Sequence, residues 1–443
     1  MRLPSSLPSP NLKLGLSLGR RSGADVVGLD IQPGFVAAVR ARVNGSIFAE
    51  RAATISLPAD TVRDGEVLDD ATLAEALKEL FASNGLGKRV RVGVANQRTV
   101  LRTLELPPVT DQKELAAAVA FQAQDQVPMP LGNAVLDFHA LGIIDTPAGP
   151  RQKVVLVAAQ RDMVERLLSA VRQAGLTAEG VDLSAFALIR SLYRHEPEQT
   201  GRVLYLNVDG LSNLAIAEGT VCRFTRVVGS GLEGMAVELA ERRGIALADA
   251  RARLLEGDLS APPEPAPAPV VESHESLESF AADAGAGADE DNELEGESFI
   301  PEPEPVDLAA EAQALPSVEE HESRELEMSY EELAHSPAAP EVAPEASDAD
   351  VLTVLENGVR DISGEVRNSL DFHRSQEGGG EVSHVVLSGA AQDIPGFADA
   401  LQLSLGVEVR TVELGVAAGA AEGGVSPHRL AVATGLAAVE APQ

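Results

Sequence analysis

The sequence predicts an α/β protein of two related lobes, and three observations carry that prediction. A strand, a tight turn, a second strand and then a helix occur twice, once from Asp25 and again from Arg202. The repeat is of order and not of identity, VVGLDIQPGFVAAV against VLYLNVDGLSNLAI. The third observation is the segment Leu104 to Gly142, which reads as a strand stopped at Pro107-Pro108, an amphipathic helix, a VPMP turn and a new strand, AVLDFHALG. Proline ends the strand and the helix because it lacks an N–H and fixes φ. A chain of 443 residues has material for two to four subdomains with real cores.

Each element has its own justification. VVGLDI, a Gly-containing turn and FVAAVRARV form a hairpin by alternation. Ala71 to Gly87 is an amphipathic helix closed by glycine, and Val90–Asn96 and Val100–Leu106 are the next strands. The helix after Pro108 is capped by Thr110 or Asp111, with Glu114 in the first turn where a carboxylate suits the helix dipole. Leu115, Val119 and Gln122 follow at helical spacing. Lys153–Gln160 is a buried-type strand, Arg161–Leu176 a helix closed by Gly175, and the run from Ala178 to His195 passes from strand to helix. The second copy, Arg202–Gly231, is strand, Gly turn, strand, Glu-Gly turn and strand, with Gly231 leading into a helix. Leu352, Leu355, Val359, Ile362, Val366 and Leu370 then mark a helix, His384–Val412 reads strand, turn, helix, strand, and Arg429–Val439 closes as a helix.

These readings divide the chain into a basic tail (1–24), a first core subdomain (25–106), an inserted strand–helix module (107–182), the start of the second core (183–256), an acidic Pro-rich insert (257–350), the remainder of the second lobe (351–428) and a C-terminal helix (429–443) that packs on the first lobe. The insert holds 27 acidic residues against one basic residue, Arg324, so it accounts for most of the net charge of −33. With 12 of the 27 prolines and few large apolar residues, it cannot bury enough surface to offset its ordering entropy and is expected to be disordered. A chain this acidic offers nothing to a phosphate backbone, which excludes nucleic acid as a partner. Cys222 stands alone, so no internal disulfide forms, and a small buried hydrophobe in a strand is its expected role. No apolar run reaches the roughly 18–20 residues of a bilayer span. The eight histidines show no metal-ligand spacing, and no G-x-S-x-G turn precedes a helix.

The order of helix, Pro-x-Pro turn and LDFHALG within Leu104–Gly142 resembles the PilM family, cytoplasmic type IV pilus assembly proteins with an actin-like (FtsA-like) fold. Two facing hairpin-then-helix copies are also the plan of the actin, Hsp70 and hexokinase superfold, in which each copy lends one phosphate-binding hairpin to a nucleotide. The resemblance therefore implies a cleft for ATP and Mg²⁺. Its first hairpin is Asp30-Ile31-Gln32-Pro33-Gly34-Phe35, with Asp30 at the metal-organising acid and Gln32 and Gly34 in the turn. Its second is Asn207-Val208-Asp209-Gly210-Leu211-Ser212-Asn213, with Asn207, Gly210, Ser212 and Asn213 toward phosphate, and its third element places Gly389 and Ala390 against the adenosine. Pro33 removes a donor N–H, Asp209 adds a negative charge at close range, and Arg251 replaces an expected glutamate, so the cleft reads as degenerate and an efficient enzyme is not expected. The resemblance further implies a scaffold, peripheral to the inner membrane, that grips the short cytoplasmic N-terminal peptide of a PilN-like partner between the first core and the inserted module, along Val90–Asn96, Val100–Leu106 and Glu114–Gln124. Other pilus assembly components and self-association belong to the same expectation. The alternative is a catalytically active ATPase of the actin/FtsA superfold.

Overall fold

The computed structural model describes residues 26–44, 46–195, 201–260, 345–376, 378–417 and 425–438. The first lobe opens with β1 (Val27–Gln32), β2 (Phe35–Asn44) and β3 (Ser46–Ser56), a short ribbon β4 (Val62–Arg63) and β5 (Glu66–Val67), helix α1 (Asp70–Asn84) and β6 (Arg89–Val94). Next come β7 (Val100–Leu106), α2 (Gln112–Gln126), β8 (Ala134–Thr146) and β9 (Gly149–Gln160), then α3 (Arg161–Gln173), β10 (Thr177–Leu183) and α4 (Ser184–Leu192). The second lobe has β11 (Arg202–Val208), β12 (Ser212–Glu218), β13 (Val221–Val228), α5 (Leu232–Arg243), α6 (Leu247–Leu255) and α7 (Glu345–Ser375). It continues with β14 (Val382–Ser388), α8 (Phe397–Leu405) and β15 (Val409–Thr411), after which β16 (Gly415–Val416) returns to the first lobe and α9 (Ala431–Ala437) closes the fold.

The two main sheets repeat one another strand for strand. The first runs β10-β6-β1-β2-β3, extended by β16, and the second runs β15-β14-β11-β12-β13. In each, the central strand (β1 or β11) pairs antiparallel with its hairpin partner and parallel with a strand beyond a helical crossover. Alternation on the central strands then sorts the residues. Val27, Leu29 and Ile31 enter the core of the first lobe with Leu73, Leu77 and Val164, while Leu204, Leu206 and Val208 enter the core of the second with Met235, Val359 and Ile362. The opposite faces of the two sheets look toward α4 and α9, where Tyr205, Leu188 and Leu436 share a third core. The duplication expected from the sequence is thus the architecture itself.

Helices α4 and α9 cross at the middle of the molecule at a distance that only glycine permits. A Cβ on Gly435 would lie 1.8 Å from the Ala187 carbonyl oxygen, and one on Gly28 of β1 would lie 1.8 Å from the Ala433 oxygen. The last carbonyls of a helix have no partner within it, and two arginines supply one here. Arg91 donates to the Leu436 oxygen at 2.8 Å, and Arg190 donates to the Gly435 oxygen at 2.5 Å while paired with Asp182 at 2.8 Å. The positive charges also suit the negative end of the α9 dipole.

The inserted module does not follow the boundaries 107–182. Val100–Leu106 belongs to it, as β7 in a three-stranded sheet of order β7-β9-β8, because Leu104 and Leu106 pack with Leu115 and Val119 of α2. The chain from Arg161 onward returns to the first lobe, where β10 pairs parallel with β6. Asp111, rather than Thr110, caps α2, accepting the Lys113 and Glu114 N–H groups, and the buried row is Leu115, Val119 and Ala123 with Gln122 half-buried. On α7 the buried row begins with Val351 and Val354, and Leu352 is half-buried. The tail 1–24 and residues 261–344 of the acidic insert lie outside the described residues. Both ends of that insert are structured, since the Leu259 N–H donates to the Pro395 oxygen and α7 starts at Glu345. Cys222 is buried in β13, and burial pushes its thiol up to about 12, as suits an inert hydrophobe.

Gly435→Ala is expected to destabilise the protein by about 3 kcal/mol or more, the upper range for overpacking against rigid backbone. Urea unfolding of the two proteins measures it. A loss below about 1 kcal/mol would mean that α9 shifts freely and that the crossing is not a fixed contact.

Candidate functional site

The turns of the two hairpins meet between the lobes. Pro33 and Gly34 join β1 to β2, with Gly34 at φ +87°, and Asp209 to Leu211 join β11 to β12. A Cβ on Gly210 would lie 2.4 Å from the Pro33 carbonyl oxygen, so the two tips are in contact. A cradle for phosphate needs backbone N–H groups converging on open space. Here the facing groups are a proline and a carbonyl oxygen, and the slot is shut.

Behind the tips lies a layer of buried polar residues, one pair from each lobe. Gln32 donates to Asp30 Oδ1 at 3.1 Å, and Asn207 donates to Asp209 Oδ2 at 3.0 Å. Asp30, Gln32, Asn207 and Asp209 are each 1–2% exposed. Burial, and then the charge of Asp209, raises the Asp30 carboxyl from its ordinary 3.8 to about 7. Burial also raises Asp209, opposed by Arg429, whose Nε lies 3.8 Å from Oδ1, and by the Ala390 N–H, which donates to Oδ1 at 2.8 Å. Asp30 Oδ2, Gln32 Oε1 and Asn207 Oδ1 hydrogen-bond nothing in the protein. All three are hard oxygen acceptors, which is the ligand chemistry of Mg²⁺, and a cation among them would offset the repulsion between the two acids. Among the described residues no three His, Cys, Asp or Glu converge.

A cavity of about 250 Å³ opens beside the tips, lined by Gly34, Phe35, Gly210, Glu233, Arg251 and Arg429 among others. It is smaller than the roughly 300–1,000 Å³ of usual ligand sites. Arg251 of α6 spans it, with Nε donating to Glu233 Oε2 of α5 at 2.8 Å and Nη1 donating to the Leu57 oxygen of the first lobe at 3.1 Å. Arg429 stacks its guanidinium over Phe35 at 4.8 Å from the ring centroid, a second tie between the segment before α9 and the first hairpin. The residues fit a hard cation, but the turns do not fit a triphosphate while they touch.

Of the residues expected here, Asp30, Gln32, Gly34, Asn207 and Gly210 do converge. Ser212 does not face the cleft, because it is fully buried and its Oγ donates to the Ser230 oxygen. Asn213 points to a separate cavity. Gly389 is a turn glycine at φ +92° whose Cβ would lie 2.3 Å from the Val208 oxygen, and Ala390 is buried with its N–H on Asp209. Those two residues shape the end of β14 and do not open onto the cavity. Arg251 is less a missing glutamate than the centre of a clasp. Glu233, Arg429 and the Leu57 carbonyl escape a sequence reading. The available signal was Glu233 in the first turn of a helix opened by Gly231, which marks a charge near the second hairpin but names no partner. On the inserted module, β7 ends its sheet and Phe121 of α2 is 70% exposed, while Leu104, Leu106, Leu115 and Val119 face one another.

The duplicated sheets, the two central helices and the paired hairpins define a two-lobed protein of the actin-like superfold. The family described as "Type IV pilus assembly protein PilM" matches residues 28–209 of this chain. A solved structure described as a PilM-PilN type IV pilus biogenesis complex is similar at 19% identity, over 94% of this chain and 98% of that one, with a TM-score of 0.62. More distant likenesses include the ethanolamine utilization protein EutJ from Carboxydothermus hydrogenoformans (12% identity, 93% and 88% of the two chains, TM-score 0.43). Another is MreB 5 of Spiroplasma citri bound to AMPPNP (11% identity, 94% and 95%, TM-score 0.41). Among the described residues no helix is long and apolar enough to cross a membrane.

The raised Asp30 carboxyl makes stability depend on pH with a defined sign. Between its ordinary 3.8 and about 7 the folded chain holds a proton that the unfolded chain has released, so stability falls as pH rises through that window. Melting temperatures from pH 5 to 8 should decline, and Asp30→Asn should melt higher than the parent at pH 8 and show a flatter profile. Parallel profiles for the two proteins would rule out Asp30 as the source.

Proposed function

We propose that the chain is an actin-like scaffold of type IV pilus assembly that holds the short cytoplasmic N-terminal peptide of a PilN-like inner-membrane protein and does not act by nucleotide turnover. The match of residues 28–209 to the pilus assembly family supports the setting. The observation that carries the choice against turnover is the clasped cleft, with the hairpin tips in contact and Arg251 joined to both Glu233 and the first lobe. The peptide would run along the first lobe and the module, where β7, the outer strand of the module sheet, offers backbone groups and Phe121 offers an apolar contact. Recruitment to the inner membrane would come from that partner, and other pilus components and self-association would build on the same scaffold.

Nucleotide enters this reading as a ligand that holds the lobes. ATP with Mg²⁺ would need the tips to part. Asp30, Gln32 and Asn207 would then supply oxygens around the metal, which on binding neutralises phosphate charge, and Gly34 and Gly210 would border the phosphates. Asp209, already hydrogen-bonded by Asn207 and Ala390, would stay beside the second turn as a carboxylate that disfavours a phosphate dianion. Affinity is therefore weak and turnover slow.

Calorimetry with the partner peptide and with ATP–Mg²⁺, on the parent and on Asp30→Ala, tests both halves. Peptide binding should be the same in the two proteins, and ATP turnover should stay well below the ~1 s⁻¹ at the low end of ordinary enzymes. Turnover at or above that rate that vanishes in Asp30→Ala would establish the ATPase alternative instead.

A further inference from the structure

Helix α7 ends against the base of the second sheet, and His373 makes the join. Its side chain is buried, with the residue 3% exposed. The ring packs on Phe224 of β13 with centroids 5.9 Å apart, and Phe372 meets Phe224 at 6.0 Å. Arg202, the first residue of β11, lies with Nη1 2.8 Å from His373 Nε2. A guanidinium has donors only and keeps its charge, so Nε2 is the acceptor and the proton of the neutral ring sits on Nδ1. That Nδ1 has no hydrogen-bond partner in the protein.

The chain beyond α7 folds tightly around this pair. The Gln376 N–H donates to the His373 oxygen at 3.3 Å. A Cβ on Gly379 would lie 2.2 Å from that same oxygen, and one on Gly380 would lie 3.1 Å from Arg202 Nη1. The Gly378 oxygen accepts from Arg202 Nη2, and Gly378 holds φ +76°, which suits glycine. Arg202 therefore joins three things at one point: the start of the central strand, the end of α7 and the glycine turn behind it.

The other charged groups around the join are already paired among themselves. Glu218 of β12 takes Arg223 of β13 at 3.1 Å and stands 3.8 Å from Arg202 Nε. Arg226 of β13 pairs with Glu365 of α7 at 2.8 Å. Arg374 of α7 binds Asp371 and Glu381, each at 3.1 Å. His384 of β14 lies with Nδ1 2.9 Å from the Ser383 hydroxyl oxygen. Among the described residues no carboxylate pairs with His373, so nothing compensates a charge on its ring. A protonated ring would set an N–H against the N–H of a guanidinium, replacing a hydrogen bond by two facing donors of like charge.

We propose that the Arg202–His373 contact is an acid-sensitive fastening, in which protonation of His373 turns Nε2 from acceptor to donor, breaks the contact and frees the last turn of α7 and the glycine turn from the second sheet, uncovering Phe224. Burial, and then the charge of Arg202, holds the His373 imidazole below its ordinary 6.5. The freed end takes up a proton more readily than the fastened one, so the fastened form loses ground as pH falls below 6.5. This is opposite in sign to the effect of Asp30, and it is local to one helix end.

Amide hydrogen exchange on the full chain, corrected for the intrinsic rate at each pH, tests the fastening. Between pH 7.5 and 5.5 the amides of 372–376 should lose protection by up to about tenfold, while those of α1 in the first lobe should not. His373→Gln keeps an oxygen that accepts from Arg202 and does not titrate, so its profile should be flat. If that variant does not fold, the ring ¹⁵N resonances of His373 in the parent chain give the answer, with a proton on Nδ1 at neutral pH and titration below 6.5. Exchange at 372–376 that ignores pH, an equal slope in His373→Gln, or a ring that titrates at or above 6.5 would each overturn the proposal.

Discussion

The close crossing of α4 and α9 is the constraint on which the rest of the molecule depends. α4 follows β10 at the end of the first sheet, and α9 follows β16 after the chain has left the second sheet, so their contact is a point where one half of the duplication meets the other. They can meet because Gly435 and Gly28 present no side chain where backbone oxygens of Ala187 and Ala433 approach. Dispersion over such a contact is individually small and collectively large, but it holds only while the helix end stays put. Arg91 and Arg190 ensure that by taking carbonyls that would otherwise be buried without partners. Two lobes with separate cores thereby become one body, and the positions of both hairpins follow from it.

The chemistry between the lobes is a direct outcome of that placement. The same alternation that sends Val27, Leu29 and Ile31 into one core turns Gly28, Asp30 and Gln32 toward α9, and Asn207 faces the corresponding way in the other lobe. Polar residues at the ends of central strands are therefore forced into the interface, where burial raises both carboxyls and the charge of Asp209 adds to the rise of Asp30. The layer is stabilised from within, by amides on acids and by Arg251, Glu233 and Arg429 around the rim.

Much of this was legible in the sequence. The order of elements, the duplication and the special segment Leu104–Gly142 depend on local periodicity, turns and caps, which a single chain displays openly. The ends of the module did not, because Val100–Leu106 looks alike whether it joins the first lobe or pairs with β9, and only the packing of Leu104 and Leu106 on α2 decides. The polar positions Asp30, Gln32, Asn207 and Gly210 were visible through their place in the hairpins. Ser212 lies across from Val208 and so falls on the core side of the sheet, Asn213 shares the face of its partner Asn207 but lies one strand farther out and lines the other cavity, and Gly389 is held by its turn against Val208. Glu233, Arg429 and Leu57 come from three distant segments, and no local pattern connects them.

The equivalence of the two sheets has a further meaning for how the chain reaches its structure. In the first lobe β1 finds its parallel partner β6 after a short stretch, whereas in the second β11 pairs with β14 across a separation that the acidic insert roughly doubles. Closing a chain loop of twice the length costs only about 0.6 kcal/mol more, so the second lobe can carry the insert with almost no loss of stability. The burden falls on time instead. The two hairpins are local and can form early, the first lobe can complete next, and the second sheet must wait for its most distant pairing before α9 can lock the halves together.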